Sequence, residues 1–327
     1  MLYVTLPDEK TRKASFYLAM EEYVARNAAR GDYLFHWQVS PSVVIGRNQL
    51  AANEVNIGYC KTHGINVFRR KSGGGCVYAD EGNVMFSFVT DADNVSLTFN
   101  RYIMMMVLML RKMGVPASAT GRNDIQVDGC KVSGNAFYHL PGRSIVHGTM
   151  LYDTNMNHMS NAITPPGDKL ETRGVESVRQ RITLLKDYVG MGIDAFKTMI
   201  RRGLCNGEYR LTEYDVGEIE ALESRVYLSP SFVYGKDPSC SIVRRCRLDG
   251  VGGIEARIEL KGCVIRNVSL AGDFFAYRNV GHLLCRLKGV ALDRESLFSA
   301  LPERLDDVIM NLRKDDFVSI LSGDFDK

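Results

Sequence analysis

Apolar residues recur every three to four positions in two long segments of the N-terminal half, which is the spacing of one face of a helix. The first segment covers residues 15–28, and its apolar face consists of Phe16, Ala19, Met20, Tyr23 and Val24. The second begins at Phe99 and ends at Gly114. Because Met104, Met105, Leu108 and Met109 are apolar too, we expect this second helix to be buried on most sides against a sheet. Shorter helical patterns occupy residues 155–162, 192–206 and 213–225.

Runs of β-branched and aromatic residues bounded by turn residues predict strands between these helices. The runs near the N-terminus are residues 34–39, 42–47, 65–70 and two short ones within 76–89. Asn53 is expected to cap a short helix that ends at His63-Gly64. Residues 117–153 again read as strands, with tight turns at Asp128-Gly129 and Pro141-Gly142.

The C-terminal third follows a segment with turn residues at both ends, 229–239, which we expect to be a linker. After it, residues 253–260 alternate strictly between apolar and polar, Lys261-Gly262 makes a turn, and 263–270 supplies a partner strand. Three short helices close the chain. Since strands and helices mix without regular β-α-β repetition, we expect an α+β fold. A chain of 327 residues is long enough for two domains, which we place at 1–240 and 241–327.

The composition is that of an ordinary globular protein, with 45% hydrophobic and 24% charged residues. The longest uninterrupted apolar run, Tyr102–Leu110, is about half of what spans a bilayer, and the N-terminus has charges where a signal peptide needs apolar residues. The net charge of +3 is too balanced for a nucleic-acid-binding surface. The 8 cysteines contain no C-x-x-C pair, so we interpret them as small buried hydrophobic residues. We therefore expect a cytoplasmic protein that binds neither membranes nor nucleic acids.

The first segment that could carry chemistry is RRKSGGGCVY at residues 69–78. The glycines Gly73, Gly74 and Gly75 between two strands leave backbone N–H groups unshielded, so they can hold an anion. Arg70 supplies a cation for a phosphate or carboxylate, and Ser72 supplies a hydroxyl donor. The alternative for this segment alone is a flexible hairpin tip beside a solvated basic strand end.

Two further segments contain candidate residues. In GRNDIQVDGCKVSG (121–134), Lys131 lies two residues beyond the hairpin turn, and Asn123 and Asp124 precede a strand. A partly enclosed lysine has a stronger electrostatic effect than one in water, and the alternative is an exposed lysine on an edge strand. His147 lies in a strand next to Gly148, where a histidine is either a base or a hydrogen-bonded core residue.

The order and content of these segments resemble the lipoate–protein ligases. The resemblance rests on RR-x-SGGG-x-V-Y, Gly82-Asn83, GRNDI, KVSG and HGT. It extends to LFHW, VVIGRNQ, Glu54, SVRQRIT (177–183), YG-K-x-P (234–238) and GDFF (272–275). The family shares a fold with the biotin ligases. The resemblance therefore implies an α+β protein with a large mixed-sheet catalytic domain and a small α+β C-terminal accessory domain.

The resemblance implies an enzyme that converts lipoate and ATP to lipoyl-AMP and pyrophosphate, and then transfers the lipoyl group to a lysine of a lipoyl-carrier domain. The implied nucleotide contacts are Arg70, Gly75, Cys76, Val77, Tyr78 and Lys131. The implied lipoate contacts are Ser72, Gly73, Gly74, Lys131 and His147. Further contacts are expected at Asn83, Asn123, Asp124 and Gly134. Asp124 is the candidate ligand for Mg²⁺, Lys131 is the expected catalytic residue, and the enzyme is expected to be a monomer.

Two departures from the family pattern keep other functions open. Cys76 stands where the family commonly has a small aliphatic residue, and Cys130 where it has a polar or charged one. Related octanoyl- and lipoyl-transferases use a cysteine nucleophile and no ATP, so one alternative is an ATP-independent transferase. A second alternative is a non-catalytic protein that binds the lipoyl ligand. The preference for lipoate or octanoate is open.

Overall fold

The computed structural model describes residues 1–91, 95–120, 123–163, 181–235, 242–261 and 264–324. The helices of these residues are α1 (Ala14–Asn27), α2 (Ala51–Glu54), α3 (Ile57–Thr62), α4 (Val95–Lys112), α5 (Met156–Ala162), α6 (Lys186–Val189), α7 (Ile193–Leu204), α8 (Glu213–Leu222), α9 (Pro230–Val233), α10 (Val280–Cys285), α11 (Arg294–Ala300) and α12 (Lys314–Ser322). A π-helical turn, Glu223–Tyr227, continues α8. Among the described residues, no helix combines the length and apolar character needed to cross a bilayer.

The strands are β1 (Leu2–Thr5), β2 (Tyr33–Trp37), β3 (Ser42–Ile45), β4 (Asn66–Arg69), β5 (Val77–Ala79), β6 (Asn83–Thr90), β7 (Ala117–Ala119), β8 (Asp124–Val127), β9 (Cys130–Leu140), β10 (Arg143–Leu151), β11 (Gly207–Arg210), β12 (Ile242–Leu248), β13 (Gly252–Lys261) and β14 (Val264–Gly272). A large mixed sheet has the order β11-β1-β2-β6-β10-β9-β8-β7, and two smaller sheets have the orders β4-β3-β5 and β12-β13-β14. In the large sheet β1 runs parallel to β11 and β2, and the remaining neighbours are antiparallel.

By its contacts the described chain divides into two compact units. The first unit consists of Met1–Ile45, Ala51–Arg70 and Cys76–Tyr234, and it holds the large sheet and the β4-β3-β5 sheet. The second unit consists of Gly46–Leu50, Lys71–Gly75 and Gly235–Lys327, and it holds the sheet β12-β13-β14.

Helix α1 forms the centre of the core of the first unit. All of its residues from Ala14 to Glu22 are buried, and Tyr17 stacks on Trp37 of β2 with ring centroids 5.0 Å apart. The second unit has its own core, in which Ile254, Ile258 and Leu297 are almost completely excluded from water. Each unit therefore buries an apolar surface of its own, which is the physical basis of a domain.

Most of the elements expected from the sequence are present. The turn at Asp128-Gly129 has φ angles of 50° and 77°, as a two-residue hairpin turn with left-handed backbone requires. The expected cap at Asn53 is wrong, because Asn56 caps α3 by accepting a hydrogen bond from Tyr59 N. The expected linker at 229–239 is wrong in its first part, where Pro230 begins α9. Strands β1, β11 and β12 were not expected from the sequence, and part of the expected Lys261-Gly262 turn lies outside the described residues.

Candidate active site

Lys131 lies at the start of β9, directly after the Asp128-Gly129 turn. Its Nζ is 2.8 Å from Oδ1 of Asp124 on the neighbouring strand β8, and the two side chains are 37% and 25% exposed. Asp124 faces Gly134 across the strand pair. A side chain at Gly134 would collide with Lys131, because an added Cβ would be 2.9 Å from Nζ. The lysine side chain therefore runs forward along β9 over Gly134, and its amine lies beside the Asp124 carboxylate.

The segment 181–183 forms hydrogen bonds with the backbone of Lys131. The backbone N–H of Lys131 donates to Arg181 O at 2.7 Å, and Thr183 N–H donates to Lys131 O at 3.0 Å. Both backbone groups of Lys131 are therefore hydrogen-bonded to this segment, so Lys131 does not lie at a free strand edge. The sequence alone did not show this contact, because it joins residues about fifty positions apart. The rest of the SVRQRIT motif, 177–180, lies outside the described residues.

Asn123 forms hydrogen bonds with Asn135, close to Lys131. Its carbonyl oxygen accepts hydrogen bonds from Asn135 N and Nδ2, both at 2.9 Å, and its own Nδ2 donates to Asn135 O at 3.2 Å. Asn135 is 2% exposed, and a Cβ at Gly148 would be only 1.8 Å from Asn135 Oδ1. Asn135 thus joins β8, β9 and β10 around the lysine, a role that was not expected from the sequence.

His147 on β10 forms a buried pair with Glu21 of α1. Nδ1 of the histidine is 2.9 Å from both carboxylate oxygens of Glu21, and the two residues are 5% and 0% exposed. Ser87 Oγ donates to Glu21 Oε1 at 2.6 Å, and Trp37 Nε1 donates to Ser87 Oγ at 2.9 Å. Nδ1 of His147 is therefore engaged by Glu21. Glu21 was not expected from the sequence, although two adjacent acids inside a strongly apolar helix were a usable signal.

Arg70 follows strand β4 and is 5% exposed. Its backbone N–H donates to Ile45 O and its Nη1 donates to Val44 O, both at 3.0 Å, so the guanidinium is fixed under β3. Burial lowers the pKa of Arg70 to about 10, with a smaller opposing effect from Cys76. Arg70 is therefore still a cation at neutral pH.

Ser72, Gly73, Gly74 and Gly75 belong to the second unit. Ser72 is 1% exposed, and its carbonyl accepts from Arg47 N at 2.8 Å. Gly74 has a φ of 85°, and a Cβ at Gly46 would lie 2.0 Å from Gly74 O. The close backbone approach in this loop thus explains why glycine occupies position 46 as well as 74.

The residues after the loop begin β5. Burial, with a further effect from Glu54, raises the pKa of the Cys76 thiol to about 12. Val77 and Tyr78 pair with β3, and Tyr78 is 1% exposed. Asn83 is fully buried, and its Nδ2 donates to Tyr78 O and Thr154 Oγ1 at 3.2 Å each. Its Oδ1 has no hydrogen-bond partner among the described residues.

The structure brings Lys131, Asn123, Asp124 and Gly134 together on the β8-β9 hairpin, with His147 on the adjacent strand β10. Within the described ranges there is no group of three or more histidine, cysteine or acidic side chains that could hold a metal ion. The Oδ1 of Asp124 is buried beside Lys131. A cation would therefore have to bind to the exposed part of this side chain. A single carboxylate fits a Mg²⁺ ion that takes its other ligands from phosphates and water.

Comparison with known proteins places this chain in a class of acyl-transferring ligases. The family of the lipoyl protein ligase A/B catalytic domain matches residues 13–205, and that of the bacterial lipoate protein ligase C-terminus matches residues 237–321. Lipoate–protein ligase 1 of Staphylococcus aureus is 35% identical over 294 residues, which are 88% of this chain and 89% of that protein. The lipoate–protein ligase LplJ of Bacillus subtilis is 33% identical over 316 residues, with 93% and 95% covered. The chain belongs to the lipoate–protein ligase family.

Solved structures agree with this assignment. A bi-partite lipoate protein ligase from an archaeal lipoylation system of Thermoplasma acidophilum has a TM-score of 0.66 and 26% identity, covering 74% of this chain and 98% of that one. A lipoate–protein ligase A bound with ATP has a TM-score of 0.61 and 26% identity, covering 72% and 97%. The LipL1 protein of P. falciparum in complex with lipoate has a TM-score of 0.77 at 20% identity, covering 99% and 98%, and this likeness concerns the fold alone. The expected family, fold class and ligase class of enzyme are confirmed.

Proposed function

We propose that this chain activates free lipoate with ATP to lipoyl-AMP and then transfers the lipoyl group to a lysine of lipoyl-carrier domains. The observation that carries the proposal is Lys131, whose amine lies over Gly134 and is held by Asp124 at 2.8 Å. Adenylation joins a carboxylate to a polyphosphate, and two anions repel each other unless a cation lies between them. A preorganised ammonium supplies that cation.

The proposed roles of the other residues follow from their chemistry. Lys131 would contact both the lipoate carboxylate and the α-phosphate, and Asp124 would keep its amine in place. The buried cation Arg70 would neutralise further negative charge, together with backbone N–H groups of Gly75, Cys76, Val77 and the neighbouring Tyr78. Ser72, Gly73, Gly74 and His147 would contact lipoate, and Asn83 and Asn123 would be further contacts. Mg²⁺ bound at Asp124 would shield the phosphate charges.

The fully buried Oδ1 of Asn83 supports its proposed role. A buried amide oxygen without a partner has a free-energy cost that a hydrogen-bond donor of a ligand would relieve. A Thermoplasma acidophilum relative, 26% identical to this chain, is known with bound lipoic acid, and a lipoate–protein ligase A is known with ATP; those ligands are the ones we propose for this chain.

We propose residues 1–240 as the catalytic domain and 241–327 as the accessory domain. The acceptors would be the lipoyl domains of 2-oxoacid dehydrogenase subunits and the H protein of glycine cleavage, since the Thermoplasma ligase is described with its E2 lipoyl domain. The proposed enzyme is a monomer in the cytoplasm, where ATP and these acceptor proteins are available.

The second candidate is an ATP-independent transferase with a cysteine nucleophile. It requires a thiolate, and the raised pKa of about 12 keeps the Cys76 thiol protonated at neutral pH. This observation favours the ligase over a transferase that uses Cys76.

The test measures release of pyrophosphate from ATP in the presence of Mg²⁺ when lipoate is added and no acceptor protein is present. We expect release that depends on lipoate, followed by lipoylation of an apo lipoyl domain. The variant with Cys76→Ala and Cys130→Ala together should retain substantial ATP-dependent activity. Transfer from an acyl-carrier thioester without ATP, lost in this variant, would establish the transferase instead.

A further inference from the structure

In the second unit, residues 272–275 lie directly against the Gly-rich loop. The N–H of Gly74 donates to the carbonyl oxygen of Phe274 at 3.4 Å. A Cβ at Gly73 would lie 2.6 Å from the same oxygen, so no side chain fits there. The Phe274 carbonyl oxygen therefore accepts the hydrogen bond of Gly74 N–H and also fills the space beside Gly73.

Asp273 anchors this segment to the sheet. Its Oδ1 accepts from Gly253 N, and its Oδ2 is 3.3 Å from Nη2 of Arg247. A second anchor is Gly272, whose N–H donates to Asn48 O at 2.8 Å and whose position leaves no room for a Cβ beside Gly253 O. The carbonyl of Phe274 is thus held in place by the residues just before it.

A backbone N–H has one proton to donate. At 3.4 Å the bond from Gly74 to Phe274 is longer than the usual 2.9–3.0 Å and hence weak. An oxyanion is roughly twice as strong an acceptor as a neutral carbonyl. An oxyanion that reaches Gly74 N–H would therefore displace the Phe274 carbonyl.

We propose that Asp273 is a positioning residue that holds the Phe274 carbonyl where an oxyanion of the substrates binds, so that residues 272–275 compete with the substrate for the Gly-rich loop. The inference rests on the proposed function, because it takes the loop as part of the substrate site. The oxyanion is either the carboxylate of lipoate or a phosphate of ATP, and the two are separated by titrating each ligand alone.

The first experiment measures the dissociation constants of lipoate and of ATP-Mg²⁺ separately by calorimetry for the wild type and Asp273→Ala. Loss of the anchor should weaken the contact of the Phe274 carbonyl with Gly74 N–H. One ligand should therefore bind about three- to tenfold more tightly to the variant. The ligand that responds is the one whose oxyanion uses Gly74. Unchanged or weaker binding of both ligands would overturn the proposal, because removal of a competing carbonyl must tighten binding of the ligand that takes its place.

Two variants serve as controls. Asp273→Asn keeps an oxygen acceptor for Gly253 N, so its dissociation constants should stay close to those of the wild type. Glu259→Ala breaks an ion pair of 3.0 Å with Arg266 on the same sheet, with neither residue in the loop contact, and should change neither constant. Tighter binding in Glu259→Ala as well would mean that general loosening of the sheet is the cause, and would also overturn the proposal.

Hydrogen exchange on the unmodified protein gives a second readout. With the responding ligand at saturation, the amides of residues 272–275 should exchange faster while that of Gly74 becomes protected. Unchanged or slower exchange at 272–275 would contradict the competition even if ligation is normal. Failure of the proposed function looks different, because then the wild type would bind neither ligand and release no pyrophosphate.

Discussion

At the scale of single residues, the charge of Lys131 is the feature on which the proposed chemistry depends. Lys131→Met keeps the length of the side chain and removes the charge. Losing one well-placed stabilising group costs on the order of 3–4 kcal/mol, so adenylation should slow about a hundred- to a thousandfold. Pre-steady-state formation of lipoyl-AMP measures the rate. A rate within about threefold of the wild type would remove Lys131 from the mechanism.

Lys131→Arg provides the matched control for that change. It keeps the positive charge, but its longer planar guanidinium does not fit a point-charge site over Gly134. We expect it to restore little of the rate. Thermal melts of both variants should remain close to the wild type, because Lys131 and Asp124 are partly exposed and water can replace the lost partner.

His36 on β2 gives a residue-scale prediction for pH. Burial, and to a lesser extent the nearby cations Lys197 and Arg201, lower its pKa to about 4. In the unfolded chain it takes up a proton near pH 6.5. Between these values the unfolded state binds more protons, so the free energy of unfolding should fall as the pH decreases from 6.5 towards 4, by about 1–2 kcal/mol by pH 5.

The measurement is chemical denaturation at pH 7 and pH 5 for the wild type and His36→Gln. Glutamine retains a polar group for Tyr3, whose hydroxyl is 2.8 Å from Nδ1 of His36. The variant should lose about 1–2 kcal/mol less than the wild type over this interval. An equal loss in both proteins would show that His36 does not titrate in this way.

At the scale of elements, the turn between β5 and β6 is fixed against the chain that leads into α5. Asp80 accepts hydrogen bonds from Gly82 N, Thr154 Oγ1 and Asn155 N at 2.8–3.1 Å. Asp153 N donates to Gly82 O at 2.7 Å. A Cβ at Gly82 would be 2.0 Å from the backbone oxygen of Asp153, so the turn cannot accept a side chain without moving.

Gly82→Ala should therefore reduce the free energy of unfolding by about 2–4 kcal/mol, because two backbone segments must separate. Gly58→Ala is the matched control. It lies within α3, where an added Cβ would meet only Asn56 Oδ1 at an ordinary 3.6 Å, and it should stabilise by about 0.5–1 kcal/mol. Urea denaturation of the two variants measures both effects. Equal small effects would mean that the turn adjusts freely.

At the scale of the whole molecule, the two units have separate cores, and the chain has 1 tryptophan, Trp37, which is 3% exposed in the first unit. Tryptophan fluorescence therefore reports unfolding of the first unit. Leu297→Ala creates a cavity in the core of the second unit, where Leu297 is fully buried, at a cost of about 2–5 kcal/mol. Far-UV circular dichroism should detect an earlier transition in this variant, while the fluorescence transition stays in place.

Phe35→Ala, in the core of the first unit, is the reciprocal control and should shift the fluorescence transition. If Leu297→Ala shifts both signals equally, the chain unfolds as one cooperative unit and the proposed division at residue 240 has no thermodynamic meaning.

The sequence by itself determined the features that depend on residues close together in the chain. The apolar face of α1, the helical spacing of α4 and the left-handed turn at Asp128-Gly129 all depend on residues within a few positions of one another. The expected burial of α4 on most sides is wrong, because Leu97, Met104 and Leu108 are exposed. The motif residues around Lys131 were also recognisable, because they are close in the chain and their order is characteristic of the family.

Only the tertiary structure decided contacts between distant segments. Strand β1 pairs with β11 across about two hundred residues, and Glu21 meets His147 across more than one hundred. Likewise, nothing in SGGG indicates that Gly73 packs against Phe274 O. The physical reason is that strand pairing, buried polar pairs and close backbone approach depend on which surfaces fold together, and the local pattern of polar and apolar residues does not specify that choice.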